Sequence, residues 1–226
     1  MPILEIESLK TIHEFIHNRT LLVLDLDNTL VESKSHYGSY QWGNFLIKKA
    51  LEKGMDINEA LDEIIPLWEV AQNHIDSKPI EQEVHLFMES VEQLGALKMA
   101  LTGRSSVVES VTLELLEKYN ISFSNWAHTP FIFDLPYDYS FTKGVFFAGP
   151  KNQKGAILNQ LLQQLKIKID RVVFVDDQQY LVEEVKQALL NFPIEYYGVR
   201  YSGADKKVSE FDYAQSELER VQLQKN

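Results

Sequence analysis

Leu21 to Thr29 reads LLVLDLDNT. An apolar run that closes on acid predicts a short buried strand, Leu21 to Asp27, with its polar residues at the carboxyl end. Two later stretches have the same form. LKMALTGR (Leu97–Arg104) follows a helical pattern over Glu81–Leu94, and RVVFVDD (Arg171–Asp177) follows the helical AILNQLLQQL. A helical LVEEVKQALL then leads to a fourth apolar piece, IEYYGVRY. Apolar strands separated by helices predict an α/β fold, a parallel sheet covered on both faces. FIFDLPYDYSFTKGVFFAG, rich in aromatics and turn residues, predicts an antiparallel β element.

Between the first and second of these strands, Val31 to about Glu83 carries helical patterns (FLIKKALEKG, INEALDEIIPLWEVAQ) and no strand pattern. It reads as a helical insertion at the sheet edge. The expected division is 1–30 and 84–226 as core and 31–83 as a helical cap. Pro66 lies inside one pattern and should kink or break that helix.

The composition narrows the function. The chain has 226 residues, 45% hydrophobic and 24% charged, the mix of a globular protein able to bury a core. It has no cysteine, so disulfides, thiolate zinc sites and a cysteine nucleophile are excluded. Lys plus Arg is 22 against 33 Asp plus Glu, a formal charge of −11 with no basic run, and a nucleic-acid partner is not expected. No stretch approaches ~18 apolar residues, so no membrane span is expected. Glu5 and Glu7 stand where a secretory leader would be basic and then apolar. The expected location is cytoplasmic, or secreted into a host cell without an N-terminal signal peptide. The polar end, SELERVQLQKN, reads as a solvated helical or frayed tail, or as a secretion signal.

Three strands end in reactive polar residues: Asp25, Asp27 and Thr29; Thr102 and Gly103; Asp176 and Asp177. Ligands of open α/β sheets bind at the carboxyl ends of strands, so these residues should converge. Asp25 and Asp27 would face opposite sides of a continuing strand. If the strand ends at Asp25, the chain can turn and bring Asp27 back. Carboxylates that close require a counter-charge. Mg²⁺ is the expected one, a hard ion taking carboxylate and phosphate oxygens. Lys154 is a second. It opens a helical pattern in NQKGAILNQLL, directly before Gly155, which favours it over Lys143 and Lys151.

DLDNT, the LTGR after its apolar run, NQKG, and FVDD, in this order, resemble the four motifs of the haloacid dehalogenase (HAD) superfamily, in its aspartate-nucleophile phosphatase branch. The resemblance runs from about Leu21 to Tyr201. GSYQWGNFLIKKAL and the insertion further resemble an uncharacterised bacterial branch that includes secreted effectors and a protein-tyrosine phosphatase. The resemblance implies an HAD-like Rossmannoid sheet with a cap inserted after its first strand. It also implies roles. Asp25 would be the nucleophile and a metal ligand. Asp27 would be general acid then base, its carbonyl on the metal. Thr102 and the Gly103 N–H would hold phosphoryl oxygens. Lys154 would neutralise charge. Asp177 would ligate the metal, and Asp176 would orient Lys154 or a metal-bound water. Which of these two touches the metal stays open, and Arg104 either contacts substrate or caps the sheet. An acid two residues after the nucleophile suits ester cleavage, whose alkoxide needs a proton. The dehalogenase branch resembles this pattern less, and the Asp-Lys-Thr of the ion pumps is absent.

Rival readings remain. His13-Glu14-Phe15-Ile16-His17 matches H-E-x-x-H, the zinc peptidase signature, on a plausible helix. No third ligand follows it, and Ile12, Phe15 and Ile16 read as core contacts of a short helix. An EF-hand fails because Leu30 stands where the loop needs glycine. His36, His74, His85 and His128 show no metal spacing and read as solvated or capping. Tyr37, Tyr40, Trp42 and Trp68 read as cap core, or as the wall of a substrate entrance. A binding-only domain and a phosphotransferase are further alternatives. The expected activity is Mg²⁺-dependent hydrolysis of phosphomonoesters through an aspartyl-phosphate. The expected substrate is a phosphotyrosine protein or a small phosphometabolite.

Overall fold

The computed structural model describes residues 3–124, 126 and 131–223; His128 lies outside them. The chain opens with β1 (Ile3–Ile6), a 3-10 helix (Leu9–Phe15) and β2 (Thr20–Leu24). Next come β3 (Val31–Ser33), α1 (Tyr40–Glu52), α2 (Ile57–Gln72) and β4 (Ser77–Pro79). The middle holds α3 (Val84–Gln93), β5 (Leu97–Thr102), α4 (Glu109–Lys118), β6 (Ser140–Thr142) and β7 (Val145–Phe147). Then follow α5 (Lys154–Gln164), β8 (Arg171–Asp176), α6 (Gln179–Ala188), β9 (Glu195–Tyr201), α7 (Asp205–Ser209) and α8 (Tyr213–Leu223).

Seven strands form one sheet in the order β1-β9-β8-β2-β5-β7-β6. All neighbours run parallel except the β6–β7 hairpin. The fold is α/β, as expected. Period-2 alternation explains why Leu21 to Leu24 of β2 are all apolar. Leu22 and Leu24 belong to the core that α3 builds with Val84, Phe87, Met88 and Val91. Leu21 and Val23 belong to the opposite core, with Ile157, Leu158 and Leu161 of α5 and Val182 and Val185 of α6. Burying each such side chain is worth roughly 1.5–3 kcal/mol. The chain leaves β2 toward β5 and β7 on one side and returns to β8 and β9 on the other. The order therefore reverses at β2, and the crevice at its carboxyl end is where such sheets bind ligands.

Three features differ from the sequence reading. β1 precedes β2, so the helical segment follows the second strand of the chain. Its four residues pair only with β9 at the sheet edge, too short a run to show a period. The insertion contains two strands, β3 and β4, paired antiparallel beneath α1 and α2. Each is three residues long and recognisable only from its distant partner. Finally, α2 runs unbroken through Pro66. Its capping box (Asp56 with Glu59) and its buried stripe of Ala60, Ile64, Trp68 and Ala71 outweigh the ~3 kcal/mol that an interior proline costs.

The chain's end is not merely a solvated tail. Tyr213 of α8 stacks on Phe45 of α1 with ring centroids 4.4 Å apart. Glu219 accepts the Tyr37 N–H at 2.8 Å. The C-terminal helix thus braces the helical insertion.

Candidate active site

β2 ends at Leu24, and the Asp25 N–H still bonds to Val175 O of β8 at 2.9 Å. The chain then turns. The N–H groups of Thr29, Leu30 and Val31 converge on Leu26 O, and Asn28 takes a left-handed conformation (φ 58°) that asparagine tolerates. This turn returns Asp27 to the wall of the cavity that Asp25 lines.

Lys154 is the hub of the buried charge. Its Nζ donates to Asp25 Oδ1 at 2.6 Å and to Asp176 Oδ2 at 2.8 Å. It stands at the first turn of α5 because Gly155 lets α5 approach α6. A Cβ there would lie 2.7 Å from Ala188 Cβ, and the Gly155 N–H is capped by Glu184 Oε1 at 2.7 Å. Of the competing lysines, Lys151 pairs with Asp62 of α2 at 2.6 Å and Lys143 with Glu117 at 4.0 Å.

Asp25, Asp176 and Asp177 each place a carboxylate oxygen within 4.8 Å of the others. Asp176 is fully committed: its Oδ1 accepts the Gln178 N–H at 2.8 Å and its Oδ2 the lysine. Asp177 Oδ2 accepts from Gln178 Nε2 at 2.6 Å and Asn28 Nδ2 at 3.4 Å. Among the described residues, no hydrogen bond reaches Asp25 Oδ2 or Asp177 Oδ1. If all three carboxylates ionise, one ammonium leaves two negative charges uncompensated. Burial pushes the Asp25 carboxyl well above its ordinary range; Lys154 opposes this, and Asp176 and Asp177 add to it. Burial and the adjacent Asp176 push Asp177 up to about 7. Burial alone would depress Lys154, but Asp176 and Asp25 outweigh it and hold the ammonium above the usual lysine range. The donor set (all-oxygen, buried, short of two positive charges) fits a divalent cation.

Asp27 is held apart from this triad. Arg104 Nε and Nη2 donate to its two oxygens, both at 2.8 Å. Burial lowers the Arg104 pKa and the Asp27 carboxylate more than restores it, so the guanidinium stays charged. Thr102 Oγ1 accepts the Arg104 N–H at 3.1 Å, which leaves its own proton to donate. A Cβ on Gly103 would meet nothing within 4 Å, so the space over this backbone is open.

These residues form the floor of a cavity of about 370 Å³. Its walls come from the helical insertion (Tyr40, Ile47, Leu61, Ile65 and Trp68) with Tyr180 of α6 opposite. Trp42 is buried in the packing of α1 on α2 instead, and Tyr37 packs against it. Of the four aromatics, Tyr40 lines the cavity, Trp42 and Tyr37 pack within the insertion, and Trp68 does both. α2 is also tied down to the sheet ends: Ser105 Oγ bonds Glu69, and Lys151 pairs with Asp62.

The sequence profile of the family described as "Protein of unknown function (DUF2608)" matches residues 5–226. The chain belongs to that family. A "Putative outer membrane protein" of Chlamydia trachomatis serovar D is 29% identical over 203 residues, covering 87% of this chain and 77% of that one. A protein of the same name from Chlamydia muridarum has the same identity and coverage. One from Chlamydia pneumoniae is 26% identical over 184 residues, 81% of this chain and 70% of that one. Among solved structures, the HAD domain of effector protein Lem4 from Legionella pneumophila, an inactive mutant, is 13% identical. It covers 90% of this chain and 96% of that one at a TM-score of 0.43. The class C acid phosphatase from Bacillus anthracis with tungstate bound is 14% identical, covering 95% and 81% at a TM-score of 0.38.

The relatives correct one expectation. A cytoplasmic or host-cell location was expected, and all three Chlamydia relatives are named as outer membrane proteins. The expectation leaned on the acidic N-terminal residues. Glu5, one of the acidic residues that suggested that location, is part of the folded strand β1. No helix among the described residues is long and apolar enough to cross a membrane. The peptidase signature of this DUF2608 chain also dissolves. His13 sits in a 3-10 helix that ends at Phe15, so His17 does not follow it on an α-helical face. His17 instead accepts the Arg19 N–H and lies 3.5 Å from Asp170. Two site residues escaped the sequence reading. Asn28 bridges Asp177 and Gln41 of α1, and Asn152 Nδ2 donates to Ala148 O at 2.7 Å, fixing the loop before Lys154. Their signal was position alone, inside DLDNT and NQKG.

Proposed function

We propose that this chain is an HAD-type phosphatase that hydrolyses phosphomonoesters through an aspartyl-phosphate on Asp25, with Mg²⁺ as its cofactor. The observation that carries the reading is Lys154, bonded at once to Asp25 and Asp176 beside the spare oxygen of Asp177. The lysine fixes one oxygen of Asp25 and leaves the other free to attack phosphorus. Asp177 Oδ1 and the Asp25 oxygen not used for attack would hold the ion, and Asp176 positions the lysine. Bound there, Mg²⁺ would offset the negative charge of triad and phosphate and polarise the phosphoryl group. The Thr102 hydroxyl and the Gly103 N–H would donate to phosphoryl oxygens, the open face over Gly103 giving them room. Asp27 would protonate the leaving oxygen, then take a proton from the incoming water.

The substrate we assign is phosphotyrosine. An apolar wall of Tyr40, Trp68, Ile47 and Leu61 facing a polar floor suits an uncharged aromatic leaving group, and about 370 Å³ accommodates one such side chain. The insertion, residues 31–83, acts as the cap that builds this wall. The relatives' names make the bacterial outer envelope the place to seek the activity.

Phosphate release from phosphotyrosine peptide, phosphoserine peptide, p-nitrophenyl phosphate, nucleotides and sugar phosphates, with Mg²⁺ or EDTA, tests the reading. Metal-dependent turnover led by the phosphotyrosine peptide supports it, and a lead by one metabolite moves the substrate to a small phosphate ester. Asp25→Asn should abolish turnover with the melting curve intact; retained activity would refute the mechanism.

A further inference from the structure

We infer that Arg104 is the positioning residue for Asp27, fixing the acid that serves the leaving oxygen rather than binding phosphate itself. The inference rests on the phosphatase reading above.

Arg104 is held from three elements. At its backbone, the N–H bonds Thr102 Oγ1 at the end of β5, and its carbonyl accepts the Gly149 N–H at 3.0 Å. On α4, Thr112 Oγ1 accepts from Nη1 at 2.9 Å and itself donates to Val108 O at 2.7 Å. On the cap, Trp68 of α2 lies under the guanidinium, 5.4 Å from ring centroid to Cζ. Arg104 is only 5% exposed. What this buried fork presents to the cavity is a bidentate grip on Asp27, both bonds 2.8 Å. Two parallel bonds fix the plane of a carboxylate as well as its distance, which a single ammonium cannot do.

Three of the five guanidinium N–H groups are therefore spent on Asp27 and Thr112. Lys154, Thr102 and the Gly103 N–H stand nearer the role of phosphate donors. In ester cleavage a bond forms between Asp25 oxygen and phosphorus, the bond from phosphorus to the leaving oxygen breaks, and the Asp27 proton passes to that oxygen. A carboxyl group that has taken up a proton on one oxygen keeps the guanidinium bond to the other, so the acid stays in place through the exchange. The same clamp touches Trp68, so placing the acid and seating the cap share one side chain.

Leaving groups separate this role from a structural one. Phenyl phosphate needs a proton on its departing oxygen, and 2,4-dinitrophenyl phosphate does not. We expect Arg104→Gln to lower kcat/KM for phenyl phosphate by roughly 10²-fold or more, the range of acid–base catalysis, and for the dinitrophenyl ester by less than about tenfold. The variant should release one equivalent of dinitrophenol in a burst and then slow, because Asp27 is displaced as the base too. Arg104→Lys, which keeps the charge and loses the fork, should show the same selectivity. Thr112→Val leaves Arg104 intact and should show a smaller loss of the same kind; it carries the test if the Arg104 variants do not fold. Equal losses for both esters, or no loss for either, would overturn the inference while leaving the phosphatase reading standing. A wild-type protein inactive on both esters would remove that reading and the inference with it.

Discussion

Asp177→Asn should stabilise the metal-free protein, and increasingly so as pH rises. Asp177 is buried beside Asp176, and its carboxyl is pushed up to about 7 from an ordinary 3.8. A carboxyl raised on folding holds its proton more tightly in the folded chain than in the unfolded one. Stability is therefore full below pH ~4 and declines as pH rises toward 7. A shift of this size corresponds to a ceiling on the order of 4 kcal/mol. For a chain of this length that is roughly 10 °C in Tm. Asparagine keeps the shape and removes the charge, so its advantage over the wild type should be near zero below pH ~4, on the order of 1.5 kcal/mol at pH 5, and approach that ceiling at pH 8. If the proposed metal site is right, millimolar Mg²⁺ should reverse the order at pH 8, because the variant lacks one of its ligands. Urea denaturation of both proteins from pH 5 to 8, in EDTA and in Mg²⁺, measures the difference directly. A wild-type-minus-variant difference that is flat with pH in EDTA would refute the argument that the triad is short of positive charge.

Other consequences are quicker to test. Lys154→Met strands Asp25 and Asp176 without their cation and should cost about 3–5 kcal/mol in addition to activity, read by urea unfolding at neutral pH. Gly155→Ala should destabilise by about 1–3 kcal/mol through its contact with Ala188 Cβ, and Ala188→Gly in the same chain should recover most of the loss. Asp62→Ala breaks an exposed ion pair and should change stability by less than about 1 kcal/mol. It frees α2 from Lys151, and should raise turnover of phosphotyrosine peptide relative to phenyl phosphate.

The parts of this molecule that were legible in sequence are those whose cause is local. β2, β5 and β8 announce themselves because each is buried on both faces and carries an apolar run, interrupted within the run only by Lys98 of β5. α2 does so because a capping acid, Asp56, precedes a stripe at helical spacing. What escaped is set by distant partners. Nothing within Ser77-Lys78-Pro79 marks a strand until Val31–Ser33 lies beside it. Nothing in the polar C-terminal stretch shows that Tyr213 stacks on Phe45. The same holds at the site. The order of the motifs brought Asp25, Lys154 and the Asp176–Asp177 pair together on paper, since each ends or begins an element at one edge of the sheet. The choice between Asp176 and Asp177, by contrast, turns on which oxygens are already taken, and that depends on Lys154 Nζ and the Gln178 N–H.

The turn over Leu26–Val31 gives two aspartates two residues apart different electrostatic settings. Asp25 stays on the strand axis, among like charges and shared with a lysine that also serves Asp176. Asp27, swung out by the left-handed Asn28, has a guanidinium to itself. An oxygen that must attack phosphorus belongs where an incoming cation will gather negative charge. A group that must give up and take back a proton belongs where a fixed partner holds its position. On the proposed roles, exchanging the two settings would place the proton carrier on the metal and the nucleophile on the arginine fork, where both of its oxygens are occupied. The turn at Asn28 is, on the same roles, as much a part of the chemistry as the two acids that precede it. Asn28→Ala, which resists the left-handed backbone and drops the bond to Asp177, should lower kcat on phenyl phosphate and weaken Mg²⁺ binding together. Loss of one without the other, measured by steady-state kinetics and Mg²⁺ titration, would show that the turn does not set both acids.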